Sequence, residues 1–326
     1  MTTTLITGGA GFLGVSVAHR LLSRDPAARV HLTDLAESPR LAALRAQLGE
    51  RIRFTVGDLG DAGFCRSLVD GSTAGIFHFA SLVSGGAERD FPAGLRANVH
   101  ATMHLLEAAR QAASIPRFVF PSSIATFGGH DLPRVVDDAT AQHPQNSYGV
   151  AKVLGEQLIH DYTRKGFLHG RSIRLPALVV RDEPNSAASG YASGLVREPL
   201  AGRAYICPVT PETRLPILSI QRCVDLLVAL ADLPPGALGD WTAINGPGIS
   251  PSAGEIAAAV QDSGLARASI TFAPDPAVMA IVAAWPKDWR AERAAALGLR
   301  ADSSIAAIIS EYAASLMQSG AVQPGS

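Results

Sequence analysis

The feature that most constrains this chain lies in its first fourteen residues. A short apolar run ending in Ile6-Thr7 meets Gly8-Gly9-Ala10-Gly11, and Phe12-Leu13-Gly14 opens an amphipathic stretch that lasts to about residue 24. A strand that becomes a helix through three glycines at this spacing leaves backbone N–H groups at a helix N-terminus, where the dipole favours an anion. Gly8 permits the tight turn, Gly11 keeps side-chain atoms off the anion, and Gly14 lets the helix lie against the strand. Such a unit needs parallel neighbours, and the chain supplies them. β-Branched runs near 2–7, 29–33, 52–56, 75–79, 117–122 and 171–180 alternate with helical patterns near 12–24, 38–48, 61–70, 93–112 and 147–165. The alternation predicts an α/β fold, a Rossmann-type doubly wound parallel sheet.

The rhythm changes after about residue 176, where small residues and then Pro208, Pro211 and Pro216 interrupt the pattern. A dinucleotide-binding domain is therefore expected over 1–176, with returning segments near 217–246. A smaller C-terminal substrate lobe is expected over 177–216 and 247–317, with a flexible tail at 318–326. Within the helix expected at 93–112, Leu95, Val99, Met103, Leu106 and Ala109 recur at helical spacing.

Hydrophobic residues make up 47% of the 326 and charged residues only 17%, the balance of an ordinary globular protein. The net charge of -1 and the lack of a Lys/Arg cluster argue against nucleic acid as a partner. No run approaches the ~20 apolar residues that span a bilayer. The start of the chain lacks a charged, apolar leader, so no membrane association and a cytoplasmic location are expected. Cys65, Cys207 and Cys223 are odd in number and far apart, which reads as reduced, buried thiols. His100 and His104 share a helix face, but no further ligands accompany them, so no metal is expected.

Asp34 stands twenty residues after Gly14 at the end of the second run, where a carboxylate accepts from both ribose hydroxyls of an adenosine. It would repel a 2′-phosphate, so NAD is expected over NADP, with Arg40 the nearby cation that opposes this preference. Gly8, Gly11, Phe12, Leu13 and Gly14 form the expected pyrophosphate turn. Asp58-Leu59 either meets the adenine or caps a loop, and Ala80 lines the cofactor. Asn98 either holds backbone or a ribose near the reacting centre, or is a satisfied helix amide.

Tyr148 and Lys152 are i and i+4 on one helix and share a face. A phenol, which ordinarily titrates near 10, becomes a base at neutral pH only beside positive charge. Lowering it by about three units takes roughly 4 kcal/mol, within reach of a close ammonium and a nicotinamide cation in a dry cleft. Tyr148 is thus the expected proton acceptor, with Lys152 also holding the nicotinamide ribose. The run Pro121-Ser122-Ser123 ends a strand beside them and offers Ser123 to a substrate oxygen.

Taken together, the chain resembles the extended short-chain dehydrogenase/reductases, the group that includes NAD-dependent epimerases and dehydratases. The likeness covers Gly8/Gly11/Gly14, Asp34, Asp58, Asn98 through Thr102, Leu105 through Ala109, Ser122-Ser123, Tyr148/Lys152 and Arg174. It implies a catalytic triad of Ser123, Tyr148 and Lys152, cofactor contact at Pro176, and a homodimer through the helices near 93–112 and 147–165. Members acting on sugar nucleotides carry an asparagine after the sixth strand; here Leu175-Pro176-Ala177 follows Arg174. Val83 through Phe91, the segments around Pro184–Gly190 and Arg197–Leu200, and Trp285-Pro286 with Arg293–Gly298 resemble instead a branch that oxidises the C2 hydroxyl of a four-carbon sugar acid. The expected substrate residues are Ser84, Gly85, Ser123, Tyr148, Asn185 and Ser189. Arg181, Arg197 and Arg214 are candidates for the carboxylate or are surface charges. A sugar-nucleotide 4-epimerase, another NAD(P)-dependent reductase of the same superfamily and a redox-sensing NAD-binding regulator are the alternatives.

Overall fold

The computed structural model describes residues 2–180 and 189–318. The chain runs β1 (Thr3–Thr7), α1 (Phe12–Arg24), β2 (Val30–Asp34), α2 (Pro39–Leu48), β3 (Ile52–Val56), α3 (Ala62–Leu68), β4 (Thr73–His78), α4 (Ser84–Arg89), α5 (Phe91–Leu95), α6 (Ala101–Gln111) and β5 (Arg117–Ser123). It continues through β6 (Val135–Val136), α7 (Ser147–Arg164), β7 (His169–Leu175), β8 (Ala177–Val179), α8 (Gly190–Leu200), β9 (Tyr205–Cys207), β10 (Ile217–Ser219), α9 (Ile220–Asp232) and β11 (Ala243–Asn245). The last elements are α10 (Ala253–Asp262), β12 (Ile270–Phe272), α11 (Pro276–Ala283), β13 (Asp288–Trp289), α12 (Glu292–Ala296) and α13 (Ile305–Gln318).

Two compact units divide these elements. The first, residues up to 126 with 144–174 and 224–244, carries a seven-stranded parallel sheet in the order β11-β7-β5-β4-β1-β2-β3. Thr7 of β1 pairs with Thr33 on one side and His78 on the other, so the strand order reverses between β1 and β4. Ligands of open α/β sheets bind in the crevice that such a reversal opens at the carboxyl ends of the strands. The strands read as near-continuous apolar runs because helices cover both faces. Leu5, Ile6, Leu32, Ile76, Phe118 and Phe120 are buried. Leu105, Leu106, Ile159 and Leu168 join Leu5, Ile76 and Phe118 in one core cluster.

Two elements depart from the sequence pattern. The stretch 93–112 is not one α-helix: a π turn at Arg96–His100 separates α5 from α6. The extra residue of a π turn rotates the downstream face, so the helical stripe read from the sequence does not stay inward. Leu106 and Ala109 are buried, yet Leu95 and Met103 are exposed, and Asn98, Thr102 and Leu105 take the inward positions. The run 171–180 is likewise two strands. Pro176 has no N–H for a ladder, so β7 ends at Leu175 in the large sheet and β8 pairs with β10 in the second unit.

The second unit comprises residues 127–143, 175–223 and 245 onward. Its strands are two or three residues long and form three parallel pairs, β8 with β10, β9 with β12 and β6 with β13. Polar contacts supply much of its order. The Asp138 carboxylate accepts from the backbone N–H groups of Asn245 (2.7 Å) and Arg293 (3.3 Å), and the Trp289 indole donates to the Gly246 carbonyl (2.7 Å). Val180 adopts φ +59°, a left-handed conformation that a β-branched residue holds only under strain of about 1–2 kcal/mol. Among the described residues no helix is long and apolar enough to cross a membrane.

Leu105 is fully buried in the core that backs the sheet, so Leu105→Ala is expected to lower the unfolding free energy in urea titrations by about 2–5 kcal/mol. Truncating exposed Ile115 in the same way is expected to change it by no more than about 0.5 kcal/mol.

Candidate active site

The crevice is built first by backbone. Gly8 holds φ +63°, and a Cβ there would stand 2.6 Å from the Ala80 nitrogen, so the turn after β1 lies directly against the end of β4. At Gly11 a Cβ would meet only the Gly8 carbonyl, at 3.1 Å, which leaves its outer side open for a close approach. Gly11 is also the N-cap of α1 and offers no side chain to its first turn, where Phe12 and Leu13 are half-buried. An open cradle at an uncapped helix N-terminus fits a pyrophosphate. The turn is clamped at Ala10. Its N–H donates to one Asp34 oxygen (3.0 Å), and its carbonyl accepts from the Ser38 hydroxyl (2.7 Å), which also caps α2. Asp34 accepts from the Leu35 N–H through its other oxygen (2.8 Å). A half-buried carboxylate at the end of β2 suits ribose hydroxyls and opposes a phosphate.

Asp58 caps its loop: one oxygen accepts from the Gly60 N–H (2.7 Å) and the other from Arg96 (3.1 and 2.8 Å). The Arg96 guanidinium, aided by that N–H, holds the carboxyl below its usual range. The Leu59 side chain lies in the core cluster, and its carbonyl accepts from Cys65 and His104. Only the backbone of Leu59 is left for a ligand. Asn98, buried within the π turn, accepts from the Ser81 hydroxyl (2.9 Å) and the Leu82 N–H (2.8 Å) and donates to the Leu82 carbonyl (2.9 Å). These bonds hold the Leu82 backbone a few residues beyond the end of β4.

A buried neutral histidine stiffens the same corner. Thr102 donates to the Asn98 carbonyl, so it accepts from Nε2 of His78, and the Thr7 hydroxyl (2.7 Å) then serves Nδ1 while accepting from the Ala80 N–H. Burial, with Lys152 nearby, pushes His78 down to about 3.

The residues expected to react lie on β5 and α7. Ser122 donates to Glu156, whereas Ser123 accepts from the Ala125 N–H (3.1 Å). Of the two adjacent hydroxyls, only that of Ser123 keeps its proton for a substrate oxygen. A Cβ at Gly149 would stand 2.1 Å from the Ala125 carbonyl, so this glycine lets the first turn of α7, with Tyr148, lie against the turn that follows Ser123. That first turn is pinned twice. Asn146 accepts from the Gly149 N–H (2.8 Å), and Glu88 of α4 accepts from the Ser147 N–H (3.0 Å). One turn further, buried Lys152 sets its Nζ 4.4 Å from the Phe120 ring centre and 5.4 Å from that of Tyr148. Burial drives Lys152 down to about 7, with Glu156 pulling the other way. Near neutrality its ammonium is therefore a weaker standing charge than the i, i+4 spacing alone implies.

Behind this pair, Glu156 and Arg174 form a buried ion pair with contacts of 2.9–3.2 Å. Ser38, Glu88 and Glu156 were not singled out from the sequence. For Glu156 the signal was present, since it follows Lys152 at the interval that separates Lys152 from Tyr148.

Ser84 and Gly85 open α4 in the first unit and are half-buried. Ser189 and Pro176 belong to the second unit, and Asn185 and Arg181 lie outside the described residues. Arg197 is paired with Glu198 (2.7 Å), and Arg214 binds Glu255 (3.1 Å) and the Ser250 carbonyl (2.6 Å). Among the described residues no group of three or more His, Cys, Asp or Glu side chains is placed to hold a metal ion.

Residues 4–230 match the NAD dependent epimerase/dehydratase family. A D-erythronate dehydrogenase of Cupriavidus necator is 45% identical, the alignment covering 94% of this chain and 97% of that protein. Another, of Haemophilus influenzae, is 37% identical over 94% of this chain and 98% of that protein. The crystal structure of a nucleoside-diphosphate-sugar epimerase from Agrobacterium tumefaciens aligns with a TM-score of 0.86 at 33% identity, over 94% of this chain and 92% of that one.

The burial of Lys152 has a consequence for stability. Its ordinary value is 10.5 and the folded value about 7, so between these limits the unfolded chain binds more protons and stability rises with pH. Below pH 7 the buried ammonium opposes folding in full. In urea titrations Lys152→Met is expected to gain on the wild type by a few kcal/mol below pH 7, with the gap closing toward pH 10. A gap that stays constant across that window would show that the lysine is not strained by burial.

Proposed function

The chain belongs to the NAD dependent epimerase/dehydratase family, and from that premise we propose that this NAD-dependent oxidoreductase oxidises the C2 hydroxyl of D-erythronate to the 2-keto acid. The observation that carries the reading is the 45% identity to a D-erythronate dehydrogenase over nearly the whole of both chains. The placement of Ser123, Tyr148 and Lys152 on β5 and α7 supports it.

The turn from Gly8 to Gly14 would hold the pyrophosphate, Asp34 the adenosine ribose, and Asp58 with the Leu59 backbone the adenine. Ala80 and the backbone that Asn98 fixes would border the nicotinamide, whose ribose falls to Lys152. Bound NAD supplies the hydride acceptor at C2. Ser123 would donate a hydrogen bond to the C2 oxygen, and Tyr148, held as a phenolate by the Lys152 ammonium, would take the hydroxyl proton and become neutral as the C2 hydrogen leaves as hydride for NAD. Ser84 and Gly85 leave room for a small polyol beside them. The exposed apolar side chains of Met103, Val150 and Leu154 on α6 and α7 suit a second copy of the chain, in keeping with a homodimer.

The likeness to a nucleoside-diphosphate-sugar epimerase favours a second reading, epimerisation with no net change in NAD. Incubating the protein with NAD and D-erythronate and following NADH absorbance separates the two. Accumulation of NADH is expected, and its absence with every four-carbon sugar acid would sink the dehydrogenase reading. Tyr148→Phe is expected to lower kcat by at least about 100-fold while changing NAD affinity by less than about threefold.

A further inference from the structure

We propose that Glu156 is a positioning residue for Tyr148 and Lys152: its buried carboxylate locks α7 to β5 and β7 and is the counter-charge of the Lys152 side chain. The inference rests on the reading of Tyr148 and Lys152 given above.

Tyr148, Lys152 and Glu156 follow one another at four-residue steps on α7 and so lie along one face. Glu156 is fully enclosed, with Arg174 and Ser122 nearly so. One carboxylate oxygen accepts from the Ser122 hydroxyl and from Nε of Arg174 (3.2 Å); the other accepts from Nε (3.1 Å) and Nη2 (2.9 Å). Ser122 is the neighbour of Ser123, and Arg174 lies on β7. A single carboxylate thus fixes the substrate-facing serine, the helix of the base and the adjoining strand in one register. Holding these elements together does not by itself call for charge, because an apolar contact of equal volume avoids the desolvation of a buried ion pair.

The charge has a second recipient in Lys152. Facing its Nζ are the Phe120 ring from β5 and the Tyr148 ring from its own helix. From β4 comes His78, stacked on Phe120 and neutral. From β7 comes Arg174, bound to Glu156. Among the described residues, Glu156 is the charge that favours the ammonium against the desolvation that opposes it.

The chain contains three lysines, Lys152, Lys165 and Lys287, so side-chain carbon signals of 13C-lysine-labelled protein give three titrations, and Lys152→Met assigns one of them. Because Glu156→Gln alone sets a neutral amide against the buried Arg174 guanidinium, the test variant is E156Q/R174M. Its Lys152 midpoint is expected to fall by about one unit, and kcat on D-erythronate about tenfold, with NAD affinity within about threefold. Glu156→Asp keeps the charge but withdraws it from Ser122 and Arg174. It is expected to leave the midpoint within about half a unit while lowering kcat by a similar factor, and it carries the test if the double variant does not fold. An unchanged Lys152 midpoint in E156Q/R174M, or wild-type kcat in either variant, overturns the proposal. Tyr148→Phe separates the two levels. If it retains turnover, the reading of the site fails; if it is inactive while E156Q/R174M titrates and turns over as the wild type does, only the role of Glu156 fails.

Discussion

The packing of α7 against the end of β5 is the contact on which the candidate site depends. It is made by two opposite means. At the first turn it is made by absence, since only a residue without a Cβ fits at Gly149 beneath the Ala125 carbonyl. Two turns on it is made by charge, through Glu156, Ser122 and Arg174. A steric fit sets how close the two elements come, and directional hydrogen bonds set how far one slides along the other. Apolar packing of Phe120 and Ile159 adds to the contact but tolerates small slips, as non-directional contacts do.

The same arrangement places a lysine where its charge is hard to keep. Phe120 and Tyr148 give Lys152 aromatic faces, which attract an ammonium, but the buried site gives it little solvent, which would hydrate it. Desolvation outweighs what opposes it, and burial brings the side chain down to about 7 despite the pull of Glu156. A group in that position responds strongly to any further charge placed beside it. An exposed lysine, already fully charged, would not.

Much of this fold was legible in the residues because its signals are local. β1 through β5 fall within about two residues of the β-branched and apolar runs, since strands covered on both faces carry such residues at their centres. The glycine turn and Asp34 were legible for the same reason, each being a few residues in a row at a strand end. What escaped notice depends on partners distant in sequence or on a local irregularity. Ser122, Glu156 and Arg174 meet across separations of 34 and 18 residues, and no periodicity announces that meeting. The π turn at Arg96–His100 shifts the buried face of α6 by one residue, which a count of helical spacing passes over. In the second unit, strands of two or three residues are too short to display an alternation at all.

Two of the three arginines raised as partners for a substrate carboxylate are already engaged within the protein. Arg197 and Arg214 already have carboxylate partners in Glu198 and Glu255, so a ligand binding either one would have to displace or share a partner that the protein holds close by. Exchange of one carboxylate for another gains little, because the charge is compensated before and after. Neutral donors carry no such penalty. The Ser123 hydroxyl, its oxygen engaged by the Ala125 N–H, is a donor of this kind among the described residues, with its one proton directed to the C2 oxygen in the proposed reaction. A hydroxyl of a small polyhydroxy acid would count for more where its absence leaves a buried donor unpaired than where its presence merely adds a contact.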